Sequence, residues 1–291
     1  MIVFHTQSKK RSTNETLYGG KTMFPGFFRP KFNFYQLPND WFDIWASIRQ
    51  MTDHTHIPGM LKIVEYVIKW TWGCGNYDKL IHIPCHEFQY GKQNQKQMLD
   101  QGTHLSTMSV EQALEASVEL GLLAETREPG NSGSSFLPHL YPGSGNSARL
   151  RQDVAELDDT PFSGFGSFAS NYFLVPSSWT NLTCDITVAT TILSVEYFFR
   201  HAWEENNLCW MDADDVSGGR RYRLKAQIGN RYDKGTGFSV DSIRNALNDA
   251  VSRGCLVWRE KADHQEREYT LYARGMDVSE DGMLLFSAGK R

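Results

Sequence analysis

The chain repeats itself. DQGTHLSTMSVEQALEASVELGLL (100–123) aligns without a gap on DKGTGFSVDSIRNALNDAVSRGCL (233–256), and ten of the twenty-four positions are identical. A long-period repeat constrains a fold more than local propensity does, because both copies must satisfy one pattern of buried and exposed positions. The likeness extends upstream in the same order. FYQLPNDWFDIW (34–45) is echoed by YFLVPSSWTNL (172–182), with Pro38 and Trp41 matching Pro176 and Trp179. LKIVEYVIKWTW (61–72) is echoed by ILSVEYFFRHAW (192–203). The expectation is two copies of one domain, 33–128 and 171–275, in 291 residues, which is length enough for two cores.

The rest of the chain has a different composition. Residues 1–32 read as a flexible N-terminal arm with a small basic cluster, Lys9-Lys10-Arg11. Residues 129–170 are rich in Gly, Ser and Pro and read as a linker, with 135–141 a candidate wing strand of the first domain. Residues 276–291 read as a C-terminal tail. No apolar run approaches the length of a membrane span, and the N-terminus lacks the apolar core of a signal peptide. The five cysteines are scattered and form no C-x-x-C, a usage that suits a reducing cytoplasm. A cytoplasmic protein without a membrane partner is therefore expected.

Within each copy the local signals agree. In 59–72, Met60, Ile63, Val64, Val67 and Ile68 recur at helical spacing. Ser106 and Ser239 are suited to cap the helices that follow, and Gly121 and Gly254 stand where those helices should end. After the second, CLVWREK and EREYTLYA alternate like two strands of a hairpin. Helix, polar connector, capped helix and hairpin is the order of a winged helix-turn-helix, in which the capped helix enters the major groove. The fold class expected is α+β, predominantly helical: two tandem winged helix-turn-helix domains joined by the Gly/Ser/Pro-rich linker.

Several motifs point the same way. Y-x-L-P-N-D-W (35–41), V-x-Y-V-I-K-W-T-W-G (64–73), F-x-x-G (88–91) and G-T-x-L-S-x-x-S-V-x-x-A-L (102–114) occur in the first copy. V-P-x-x-W (175–179) and G-T-G-F-S-x-x-S-I-x-x-A-L (235–247) occur in the second. With these, each copy resembles the winged-helix domain of phage and plasmid replication initiators, the group around phage replication protein O and DnaD-like primosomal proteins. The resemblance implies double-stranded DNA as partner and a phage or mobile-element setting, in replication initiation or transcriptional control.

The residues suggest where contact would lie. Between 220 and 234, Arg220, Arg221, Arg223, Lys225, Arg231 and Lys234 face only one acid, Asp233. Six positive charges in fifteen residues beside a candidate recognition helix make a phosphate footprint, although the whole chain carries −4. Ser239, Arg244, Asn245 and Asn248 stand at the exposed start of that helix, and Arg and Asn suit base edges. The first copy offers Lys92, Lys96, Thr107 and Gln112, but its helix carries Glu111, Glu115 and Glu119, which repel phosphate. Two readings stand for it: DNA contact, or docking of a protein, which would make the chain an adaptor subunit of a larger nucleoprotein complex.

Chemistry finds little footing. There is no G-x-S-x-G, HExxH or P-loop, and no enzyme or cofactor is expected. Cys74, His82, Cys85 and His86 are the right types for zinc, but their spacing fits no common finger and the second copy keeps none of them. Asp212, Asp214 and Asp215 have the composition of a magnesium site, but are better read as the cap of a short helix. Trp41, Trp72, Trp179 and Trp203 recur at matched places and are read as core.

Overall fold

The computed structural model describes residues 34–53, 55–77, 79–94, 97–127, 134–140, 172–202, 209–221, 231, 233–261, 266–272, 276 and 278–283. It is an α+β fold of helices and small antiparallel sheets. The first copy runs β1 (Phe34–Pro38), α1 (Trp41–Met51), α2 (Ile57–Trp70), β2 (Ile81–His82), α3 (Cys85–Tyr90), β3 (Gln93–Asn94), β4 (Gln97–Met98), α4 (Thr107–Glu119), β5 (Leu123–Arg127) and β6 (Ser134–Pro138). The second runs β7 (Tyr172–Pro176), α5 (Trp179–Thr183), α6 (Ala189–Ala202), α7 (Ala213–Gly218), α8 (Val240–Ser252), β8 (Leu256–Glu260) and β9 (Arg267–Leu271). Among the described residues no helix is long and apolar enough to cross a membrane.

The caps explain why α4 and α8 begin and end where they do. Ser106 Oγ accepts from the Ser109 N–H and Ser239 Oγ from the Ser242 N–H, each at 3.2 Å. At the other end the Leu122 N–H bonds the Ser117 carbonyl at 2.8 Å, and the Cys255 N–H bonds the Ala250 carbonyl at 2.9 Å. Both turns pass through a left-handed glycine, Gly121 and Gly254. The chain then enters β5 or β8. β5 pairs with β6, which also takes β2, whereas β8 pairs with β9, which takes Met211 in an isolated bridge.

The repeated D-x-G-T has a physical purpose. Asp100 Oδ1 accepts from the Gly102 N–H at 2.9 Å, and Asp233 Oδ1 from the Gly235 N–H at 2.7 Å. A tyrosine of the long helix holds each of these carboxylates: Tyr66 on Asp100 at 3.2 Å, Tyr197 on Asp233 at 2.8 Å. Lys69 and Arg200, one turn further on, stand 3.5 and 3.7 Å from the same carboxylates. So the aspartate ties the loop before the capped helix to the core helix. The glycine that follows has φ of +69° at Gly102 and +66° at Gly235. A Cβ on Gly102 would lie 2.5 Å from the Gly91 nitrogen and 2.7 Å from the Gln89 carbonyl carbon, both backbone. Gly102→Ala is therefore expected to cost more than about 1 kcal/mol, read from the urea midpoint.

The two copies close on each other about a pseudo-two-fold axis. β1 pairs antiparallel with β7, Phe34 opposite Pro176 and Pro38 opposite Tyr172. Gln36 lies opposite Leu174, its own counterpart in the repeat. Such a register is isologous: i meets j where j meets i. The entry helices are exchanged across this ladder. Phe42 of α1 stacks on Phe173 and meets Tyr197 and Arg200 of the second copy. At the position matching Phe42, Thr180 of α5 accepts from Lys69 of the first copy at 2.8 Å. Asp43 reaches Lys234 at 3.8 Å, and its counterpart Asn181 accepts from the Gln101 N–H at 3.3 Å. Each copy thus completes the core of the other, and Trp41, Trp45 and Trp179 are fully buried in one continuous core.

Matched residues that touch each other must lie at the axis, and Glu65 of α2 meets Glu196 of α6 there. Both are buried. Glu196 accepts from Trp41 Nε1 at 2.7 Å and from Trp179 Nε1 at 3.0 Å. Glu65 Oε2 accepts from the Tyr35 hydroxyl at 2.7 Å, while no N–H or hydroxyl reaches its Oε1. A proton on Oε1 makes the missing hydrogen bond, to Glu196. Burial, and then the Glu196 charge, push the Glu65 carboxyl well above its ordinary value of 4.5. The pair therefore holds a proton to higher pH than an ordinary carboxyl does.

Candidate nucleic-acid interface

α8 buries Ile243, Ala246, Leu247 and Ala250 and turns Asp241, Arg244, Asn245 and Asn248 outward. Arg244 pairs with Asp241 at 2.9 Å, both exposed. An exposed pair of this kind contributes about 0–1 kcal/mol, so Arg244 can leave it for a better acceptor at small cost. Asn248 accepts from the Tyr269 hydroxyl at 3.3 Å through Oδ1, and its amide protons remain for another partner. Ser239, at the cap, is exposed. Lys234, just upstream, has a side chain 87% exposed.

The described part of the basic connector differs from a free phosphate grip. Arg220 is buried, and its backbone N–H donates to the Tyr197 hydroxyl at 2.9 Å. Arg221 bridges Asp215 at 2.7 Å and Asp212 at 2.5 Å. Arg231 bonds Asp214 at 2.8 Å and also the Gly219 carbonyl. Asp212 caps α7 by accepting from the Asp215 N–H at 2.8 Å and takes Lys261 at 3.0 Å. Burial alone would raise the Asp212 carboxyl. The Asp215 N–H, Lys261 and Arg221 hold it below its ordinary value instead. Removing Arg221 would strip a buried carboxylate of a partner, so this arginine is committed to the fold. The signal was present in the sequence, since three aspartates precede the basic run across the Gly218-Gly219 turn. Arg223 and Lys225 lie outside the described residues.

The first copy presents the matching face differently. α4 buries Val110, Ala113, Ser117 and Val118 and exposes Thr107, Met108, Glu111, Gln112, Glu115 and Glu119. Glu111, Gln112 and Glu115 occupy the places of Arg244, Asn245 and Asn248. Lys92 is half-buried, its Nζ 4.7 Å from the centre of the Trp70 ring. Lys96 lies outside the described residues. Four large apolar side chains are exposed around this helix and its connector: Tyr90, Met98, Leu99 and Met108.

Neither candidate metal set forms a centre. Among the described residues no group of three or more His, Cys, Asp and Glu side chains is placed to hold an ion, the set Cys74, His82, Cys85 and His86 included. All five cysteines are free thiols. Burial, the larger influence in each case, pushes the Cys184 thiol up to about 11 and the Cys255 thiol up to about 12, which leaves both inert at neutral pH. Trp41, Trp72 and Trp179 are buried and closed to base stacking, while Trp203 lies outside the described residues.

No family model matches the chain, and neither a curated protein nor a solved structure is significantly similar to it.

Proposed function

We propose that the chain is a non-enzymatic, sequence-specific binder of double-stranded DNA, built of two winged-helix halves. The observation that carries this reading is the doubled capped helix. α4 and α8 are anchored by the same D-x-G-T loop and serine cap, and each turns a polar face outward. A helix held at one end by a cap and at its back by a core, with Arg and Asn on the free face, suits the major groove. Replication initiation or transcriptional control in a phage or mobile element is the setting the sequence motifs suggest.

The phosphate footprint is assigned to Lys234, with Arg223 and Lys225 on the strength of the sequence, while Arg244 is assigned to base edges. Lys234, Arg223 or Lys225 replaced by Ala is each expected to lower the slope of log affinity against log salt by about one unit. Arg221→Ala is expected to leave that slope alone and to lower stability, because its charge is already used on Asp212 and Asp215. Fluorescence anisotropy on one duplex across a salt series reads both. A slope indifferent to all three of these substitutions would sink the DNA reading.

A second reading is favoured by one feature, the first copy's acidic helix beside exposed Tyr90, Met98, Leu99 and Met108. Apolar side chains rimmed by charge are typical of a protein contact. On that reading the chain is an adaptor whose first half docks a subunit of a nucleoprotein complex. A stoichiometric protein partner from the native host, with no DNA retained, favours it.

A further inference from the structure

We infer that the chain binds one duplex site whose two halves are inverted about a single dyad yet unlike in base sequence, so that the bound protein has a direction along the DNA. The inference rests on the DNA-binding reading and extends it. A two-fold axis keeps related elements at the same height along itself. The isologous β1–β7 ladder and the exchanged α1 and α5 therefore relate α4 and α8 by that axis, at one height along it and in opposite senses about it. A duplex has a local dyad of its own, and a two-fold protein meets it most simply by aligning the two. That arrangement gives inverted half-sites and excludes a direct repeat.

The symmetry belongs to the backbone and stops at the outer side chains. α8 presents Arg244, Asn245 and Asn248, all exposed. Arg donates a pair of hydrogen bonds to guanine, and Asn exchanges a pair with adenine. α4 presents Glu111, Gln112 and Glu115 at the same places, also exposed. A carboxylate accepts from the cytosine amino group and rejects the all-acceptor edge that guanine offers, while Gln suits adenine. The phosphates attract Arg244 and Lys234 and repel Glu111 and Glu115. The half-site under α8 thus supplies most of the affinity, and the half-site under α4 contributes discrimination. A homodimer on a palindrome faces both ways equally, whereas this chain faces one.

The test uses the whole chain. Bound sequences are selected from a random duplex pool, and the winner is mapped by hydroxyl-radical cleavage. Protection on the two strands should be related by one dyad, while the selected bases differ between halves. Arg244→Ala should relax base preference in one half only, and Glu111→Ala in the other half only. These side chains are exposed, and the variants should unfold at the parent's temperature. Replacing Glu111→Arg, Gln112→Asn and Glu115→Asn together makes the two faces alike. That variant should bind a perfect inverted repeat of the α8 half-site about tenfold or more tighter than the parent does. If no duplex is retained at low salt, the DNA reading fails and this inference with it. Protection of one half alone, or a pattern repeated along one strand, leaves DNA binding standing and overturns the dyad. If Arg244→Ala and Glu111→Ala relax the same half, or the triple variant gains nothing on the inverted repeat, the assignment of unlike halves is overturned.

Discussion

Unfolding stability is expected to fall as pH rises above 4.5, through the proton held between Glu65 and Glu196, and Glu65→Gln is expected to remove that slope. A carboxyl whose value is raised by folding binds its proton more tightly in the folded chain. Its contribution is fully present below the unfolded value and is lost as pH climbs through the folded one. The glutamine is chosen for its fit. Its oxygen accepts from Tyr35, and its amide donates to Glu196 in place of the proton. The equivalent change on the other copy should behave differently. Glu196 accepts two indole N–H groups, one on each oxygen. Glu196→Gln turns an NH2 toward one of them and leaves a buried donor unpaired, at a cost of about 1–3 kcal/mol at every pH. Urea melts of the three proteins at several pH values check this. Equal slopes for parent and Glu65→Gln would mean that the pair holds no proton.

The acid side has the opposite sign. Burial would raise the Asp233 carboxyl. Bonds from His201, Tyr197 and the Gly235 N–H, with the Arg200 charge, outweigh it and hold the group at about 2. A depressed carboxyl contributes stability above its unfolded value, and that contribution is lost as pH falls toward 2. Of these two groups, Asp233 contributes on the acid side and the pair at the axis on the alkaline side.

Much of the fold was legible because it is local. Ser106 and Ser239 sit where a side-chain oxygen is needed, and the helices begin there. Gly121 and Gly254 end them for the same steric reason. The alternation of 256–260 and 267–271 reads as strands, and they pair. The α+β class follows from such signals. What the sequence concealed is long-range. Glu65 and Glu196 appear as one polar residue inside each apolar helix, and nothing in either helix says that the two will meet. The six positive charges of 220–234 look like one patch only until Asp212, Asp214 and Asp215 fold back on two of them. Phe42 and Thr180 are unlike in type, so their matched places in the other copy's core could not be inferred from similarity. A doubled entry segment P-x-x-W hints at exchange, but composition alone is equally compatible with two separate domains on a linker.

That difference can be measured by division of the chain. A fragment of residues 1–150 and a fragment of residues 151–291 are each expected to lack a cooperative unfolding transition as monomers, and to regain one when mixed. The reason is the exchange. Without the second copy, β1 is an open edge and α1 loses Phe173, Tyr197 and Arg200 from around Phe42. Trp41 loses its acceptor, since Glu196 belongs to the other fragment. A buried Trp covers about 150–250 Å², and exposing even one sacrifices several kcal/mol, a large share of the roughly 5–15 kcal/mol that holds a domain together. Two beads on a flexible linker would behave otherwise, each melting alone at its own temperature. A fragment that dimerises with itself would still agree with the exchange, because an isologous register accepts a second identical strand: Gln36 would face Gln36 as it now faces Leu174. A fragment that melts cooperatively while monomeric in the ultracentrifuge would not agree. It would return the chain to two independent domains, and with them to half-sites whose spacing is set by the linker rather than by the axis.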